Sequence, residues 1–343
     1  IELAERLAVE ELSGSPVSDV FDKQKWLNCA KQKLLSLPLP KCYWKGEELG
    51  LCETVGIYHA LGRGGSDRGL MFAMGAHLFG CAMPISIHAS DQQQEQWGEK
   101  ISNGSSICAL AITEASGGSS PVPMLTVAEK KDNSFIINGE KILITNAPIA
   151  DLLLLIAATS PSRGAMGWTA FLIEKDTPGL SIDKLETFGL KGAPMGRVTF
   201  ENCTVPESAI VGKLNGGFSV FNTAMLWERT GILAGFIGAA EYDLNRCIQF
   251  LNDRRNTSGS LAMNQSLSHR VADMKVRMES ARLMLFHAAW SIDENKRDAK
   301  LWSSMAKYHA SEAIVQNAFD TLRIAAGSGW LDEMGQASAL RDS

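Results

Sequence analysis

Ser134–Thr145, SFIINGEKILIT, reads as extended chain in the middle of a protein whose two ends read as helix. Its isoleucines and phenylalanine favour a pleated, half-buried surface. Asp132-Asn133 just before it is a hairpin-turn pair, and Asn138-Gly139 inside it reads as a second tight turn. Outward from this stretch lie ICALAIT (107–113), LTVAEKK (125–131), LLLLIAAT (152–159), TAFLIEK (169–175) and VTFENCTVP (198–206). Breaks of GG, DN, PS, TPG and NG type separate these short strands. Before about residue 105 the spacing is helical instead, in QKWLNCAKQKLL (24–35), LCETVGIYHALGR (51–63), MFAMGAHLFGCAMPISIHA (71–89) and the capped SDQQQEQWGEKISNG (90–104). From Gly216 onward it is helical again, over 217–253, 264–292 and 298–326. The order all-α, all-β, all-α predicts an α+β protein. Its expected parts are an N-terminal helical domain (1–105), a central β-barrel or sandwich domain (106–213) and a C-terminal helical bundle (214–343).

Bulk properties exclude several classes. The 343 residues exceed one typical core, and 45% hydrophobic with 21% charged residues is ordinary for a globular chain. Lys and Arg number 33 against 38 Asp and Glu, and the net charge of −5 gives no pull toward nucleic acid or an anionic membrane. Seven cysteines, odd in number and without CxxC pairs, indicate a reducing, cytoplasmic compartment. The six histidines form no HxxxH or HxH cluster, so no metal is expected. No apolar run is read as long enough to span a bilayer. The chain opens at Ile1 without a methionine, so a trimmed segment before it is allowed for.

Met225–Ala240, MLWERTGILAGFIGAA, places a carboxylate on an apolar face. At about 100° per residue, Phe221, Met225, Ile232, Phe236 and Ala239 share one side of a helix, with Glu228 near its centre and Arg229 at its flank. Burying a carboxylate raises its pKa, and a raised pKa suits a general base near neutral pH. The alternative is that Glu228 pairs with Arg229 and only holds packing.

Two further segments bear on chemistry. Ile112–Ser120, ITEASGGSS, follows a strand, and its backbone N–H groups and hydroxyls can meet a phosphate or a flavin ring. It lacks both the GxGxxG and the GxxxxGK[ST] spacings. Ile137–Asn146, INGEKILITN, ends in a Thr-Asn pair whose hydroxyl can donate to a ring nitrogen or simply face water.

Taken together, these segments resemble the acyl-CoA dehydrogenase family along nearly the whole chain. A TEPxAGSD loop resembles Thr113 to Ser120, and NGxKxxITN resembles Asn138 to Asn146. F-E-x-x-x-V-P matches Phe200 to Pro206, and L-x-x-E-R resembles Met225 to Arg229. R-x-x-F-G with a later Gln and L-A-D-M is echoed by Arg255, Gly259, Gln265 and Val271 to Met274. Q-x-x-G-G-x-G-Y is echoed by Arg323, Ala326, Gly327, Gly329 and Trp330, and R-D-A by Arg341-Asp342-Ser343. The sequence departs at Ala115, Ser120, Leu143, Ser258 and Arg323, where the family has Pro, Asp, an aromatic, Phe and Gln.

The resemblance implies an acyl-CoA dehydrogenase-like fold, an FAD cofactor and a thioester substrate. It implies cofactor contacts from Leu110, Ile112, Thr113, Ser119, Leu143, Thr145, Arg255, Gln265, Arg323 and Gly327, with Thr145 near flavin N5 and Arg255 reaching the FAD of a neighbouring subunit. Glu228 becomes the base that removes the α-proton, with Trp227 and Arg229 beside the substrate. The expected partners are an acyl or aminoacyl thioester on CoA or a carrier protein, and oxygen or an electron-transfer flavoprotein as acceptor. The expected assembly is a homodimer or homotetramer. Among substrates the resemblance leans to a prolyl group on a carrier protein in a biosynthetic pathway. The alternatives are a short- or branched-chain acyl-CoA, a flavin monooxygenase on the same fold, and an FAD-less scaffold.

Overall fold

The computed structural model describes residues 20–120, 122–257, 259–331 and 335–343. The first nineteen residues of the expected N-terminal domain, and the departure at Ser258, lie outside the described residues.

The N-terminal helices are α1 (Lys23–Lys31), α2 (Leu51–Arg63), α3 (Arg68–His77), α4 (Met83–His88) and α5 (Asp91–Ser102). The Asp22 carboxylate caps α1 by accepting the N–H of Gln24 and Lys25, and a Ser90/Gln93 capping box starts α5. The helix expected over 24–35 stops early. Lys33 turns left-handed (φ 63), and Leu34, Leu35, Leu37 and Leu39 are buried from an irregular segment instead. Between α3 and α4 lies a π-helical turn, Leu78–Ala82. Pro84 accounts for it: proline donates no hydrogen bond and its ring would strike the carbonyl four residues back, so the helix widens there. Arg68–His88 is long and apolar enough to cross a bilayer, contrary to the sequence expectation, but 78% of its most apolar 18-residue window is buried within the fold. It is a core helix.

The middle of the chain forms one eight-stranded mixed sheet from β1 (Cys108–Ala111), β2 (Val127–Lys131), β3 (Ser134–Thr145), β4 (Leu152–Ala158), β5 (Trp168–Glu174), β6 (Leu180–Leu185), β7 (Met195–Pro206) and β8 (Ile210–Val211). The strand order is β6-β7-β3-β2-β4-β5-β8, with β1 pairing in parallel beside β4. β4 is apolar at every position because both of its faces are covered. Leu152, Leu154 and Ile156 join the helical core, while Leu153, Leu155 and Ala157 join a second core under the sheet.

Asp132-Asn133 makes the expected hairpin, with Lys131 opposite Ser134. Asn138-Gly139 does not turn the chain. It is a bulge inside the single strand β3, where the register with β7 slips and Gly139 takes φ 145. Pairing on both sides, to β2 and β7, keeps the strand straight through a sequence that alone would reverse it.

The C-terminal part holds α6 (Gly217–Asp253), the small ladder β9 (Arg255–Asn256) and β10 (Gly259–Ser260), then α7 (Gln265–Asp293), α8 (Ala299–Ala325) and α9 (Gln336–Arg341). α6 runs from the sheet, where Gly217 lies against the Thr169 backbone, between the N-terminal helices and the α7–α8 pair.

Candidate active site

The loop after β1 is held from beneath. Lys141 of β3 is fully buried and donates from Nζ to the Ile112 carbonyl (2.9 Å) and to Glu114 Oε1 (2.8 Å). The Glu114 carboxylate also accepts the N–H of Leu125 (2.7 Å) and Thr126 (2.8 Å). The Ile142 N–H donates to the Thr113 carbonyl at 2.8 Å. Thr113 is thereby fixed between two tethered neighbours.

Across from it, β3 breaks register between Lys141 and Ile144. Leu143 there is left-handed (φ 61) and 55% exposed. A non-glycine residue held in that region is strained, and such strain clusters at binding sites. The strand ends at Thr145 because Asn146 turns left-handed, and its Nδ2 donates to the Ala73 carbonyl at 2.8 Å.

These elements and α6 enclose a cleft of about 270 Å³. Thr113, Ser119, Leu143, Thr145, Glu228 and Arg229 line it, together with Leu110 and Ile112. Phe221, Met225 and Glu228, spaced at one turn, form the α6 wall. The apolar face read from the sequence therefore walls a cavity at these positions, while Phe236 and Ala239 further along it are buried in the helical core. A second, mostly apolar chamber of about 490 Å³ adjoins it, walled by Phe72, Leu190, Ile232 and Phe236, with Lys307 on α8. Met225, Glu228 and Arg229 line both cavities, so Glu228 stands where they meet.

Burial pushes the Glu228 carboxyl up to about 7, against the opposing charges of Arg229 and Lys307. Among the described residues no hydrogen bond or ion pair holds the carboxylate; the two cations act on it through space. The pairing alternative with Arg229 therefore has no direct contact behind it. Room for the carboxylate comes from Gly80 in the π-turn, where a Cβ would sit 3.3 Å from Glu228 Oε2.

Other sequence candidates lie elsewhere. Trp227 lines neither cavity and packs against the helical core, because one residue before Glu228 the helix has rotated by about 100°. Arg255 and Gln265 are exposed at the far end of α6 and the start of α7; Arg323 and Gly327 are exposed at the end of α8. None of these four lines the cleft. The 25 residues from Glu228 to the end of α6 put Arg255 roughly 40 Å away along the helix axis. Sequence reading passes over Lys141 and Glu114, although a lysine within KILIT and a glutamate directly after an apolar strand are the available signals.

The cleft fits FAD on the chemistry of its walls. Among the described residues the hydroxyls of Thr113 and Thr145 have no hydrogen-bond partner, so both are free to serve a ring edge. Gly118 faces open space, leaving backbone accessible to a phosphate. Family models agree along the chain: acyl-CoA dehydrogenase N-terminal domain over residues 4–105, middle domain over 109–203 and C-terminal domain over 215–343. The chain belongs to the acyl-CoA dehydrogenase family and is an FAD-dependent oxidoreductase of acyl thioesters.

Among its relatives, an L-prolyl-[peptidyl-carrier protein] dehydrogenase of Pseudomonas fluorescens is 36% identical over 342 residues, covering 99% of this chain and 89% of the relative. One of the same description from a Serratia species is 35% identical, covering 84% and 75%. A solved structure of PigA with FAD and proline superposes with a TM-score of 0.95 at 32% identity, covering 99% of this chain and 90% of that one.

With Glu228 as the candidate base, its environment predicts a pH dependence. A base must be unprotonated, so with its carboxyl at about 7 the rate of flavin reduction should rise about tenfold per unit below that pH and level off above it. Anaerobic stopped-flow bleaching across pH 5.5 to 8.5, about the window on either side of that pKa, checks this. A flat profile means the base is another group.

Proposed function

We propose that this chain oxidises a prolyl group held as a thioester on a carrier protein, with Glu228 as base. The observation that carries the chemistry is the Glu228 carboxylate, without a direct partner among the described residues and raised to about 7, between the cofactor cleft and the apolar chamber. The names of the relatives support the substrate. The thioester carbonyl acidifies the α-carbon; Glu228 takes that proton, and a hydride leaves the neighbouring ring carbon as the C=C bond forms. FAD, when bound, supplies the hydride acceptor. Thr113 and Thr145 would hold its ring and Ser119 its phosphates, while Arg229 and the apolar walls orient the substrate. Oxygen or an electron-transfer flavoprotein then takes the electrons.

Mass spectrometry of parallel mixtures tests the substrate. Prolyl-loaded carrier protein should be oxidised and free acyl-CoAs turned over poorly, because contacts to the carrier supply binding energy that CoA lacks. Equal turnover of a CoA thioester and its carrier-protein counterpart favours an ordinary short- or branched-chain acyl-CoA substrate.

We further propose that two or four copies assemble and that Arg255 serves a neighbour's cofactor. Its roughly 40 Å separation from Glu228 along the helix supports this, since one dinucleotide does not bridge the two within a chain. Two exposed stripes at seven-residue spacing support it too: Val276, Leu283 and Trp290 on α7, and Leu301, Tyr308 and Val315 on α8. Apolar stripes of this length on a surface mark an interface. The domain limits proposed are 1–105, 106–213 and 214–343. The seven scattered cysteines, odd in number and without CxxC pairs, support a cytoplasmic location.

A further inference from the structure

We infer that the buried Lys141–Glu114 pair is a clamp that positions both walls of the flavin cleft, although neither side chain lines it. The ammonium donates to the Ile112 carbonyl and to Glu114, and so grips the residues on either side of Thr113. Glu114 gathers the returning chain through the N–H groups of Leu125 and Thr126, closing the 112–126 loop on one carboxylate. On the opposite wall, Lys141 is the last residue in register before β3 slips, which leads to strained Leu143 and terminal Thr145. One ammonium thus sets the distance between the Thr113 hydroxyl and the Leu143–Thr145 segment.

Stability alone is a poor reason for such a pair. Desolvating two charges offsets most of their attraction, and apolar residues of similar size hold a core as well or better. Burial pulls the Lys141 ammonium down to about 8, with Glu114 opposing that shift. What the pair supplies is direction: the ammonium is aimed at the Ile112 carbonyl and at Glu114, and the two carboxylate oxygens at the N–H groups of Leu125 and Thr126.

The inference rests on Thr113 and Thr145 being flavin contacts, and Thr113→Val tests that assignment with the clamp intact. Native FAD affinity in Thr113→Val would remove the contact reading, not the clamp. The clamp is tested with Lys141→Met/Glu114→Gln, which leaves no charge buried alone. Apoprotein is prepared, far-UV circular dichroism and unfolding temperature are recorded, and FAD is titrated back by fluorescence quenching. The double variant should fold with native helix content, bind FAD about tenfold or more weakly and show altered visible circular dichroism of the flavin. Lys141→Arg, which keeps the charge, should recover part of the affinity. A double variant with an FAD dissociation constant within about twofold of native and an unchanged flavin spectrum overturns the inference, whatever its unfolding temperature. Should the double variant not fold, Glu114→Gln alone, isosteric with the native residue, is held to the same two criteria.

Discussion

Glu228→Gln is expected to keep FAD and the fold while slowing anaerobic flavin reduction by about 10²-fold or more, the usual scale for a general base. The substitution preserves size and hydrogen bonding and removes only proton acceptance. It also has a stability signature. The native carboxyl sits near 7 against an ordinary 4.5, so the folded state binds more protons than the unfolded state between those values. The contribution is fully present below the lower value and is lost as pH rises through the upper one. A neutral glutamine suffers no such loss. The variant should therefore be more stable than the native protein by on the order of 2 kcal/mol at pH 8, with the gap closing near pH 5. Denaturant unfolding at the two pH values reads this out. If Glu228 instead holds the fold by pairing with Arg229, the variant loses stability at pH 8 and keeps turnover; that result would retire Glu228 as base.

Mixing two crippled chains should restore activity. Arg255→Ala homo-oligomers should lose FAD readily and Glu228→Gln homo-oligomers should turn over slowly. If each site takes Glu228 from one chain and Arg255 from another, a mixed dimer contains one site with both residues intact. Random mixing by co-expression then gives about a quarter of native activity, since half the dimers are mixed and half their sites are whole. The comparison sample is the two variants purified separately and combined without exchange of subunits. Activity no higher in the co-expressed sample than in that one would show that each chain completes its own site.

Sequence and tertiary structure divide the rest between them along a physical line. Signals that act within one or two turns of chain were legible. The helix–strand–helix order, the Asp132-Asn133 hairpin, the length of α6 and the placement of Glu228 on one face with Phe221, Met225 and Ile232 all follow from local periodicity and turn chemistry. The loop at Thr113 and the strand end at Thr145 were legible as motifs, and the cleft brings them together.

What was not legible depends on pairing across distance. Asn138-Gly139 has the same local preference in a turn and in a bulge, and only strands on both sides of β3 decide between them. Lys141 and Glu114 stand 27 positions apart, so their union depends on how β3 lies beneath the loop. That the apolar side of α6 walls a cavity at Glu228 depends on Gly80 and the π-turn opposite, a feature of packing with no trace in the helix itself. Local chemistry thus named Glu228 as a candidate base, and the family resemblance named the candidate cofactor contacts. The fold decided which of them face one another, because a carboxylate's pKa and a hydroxyl's freedom are properties of what surrounds them.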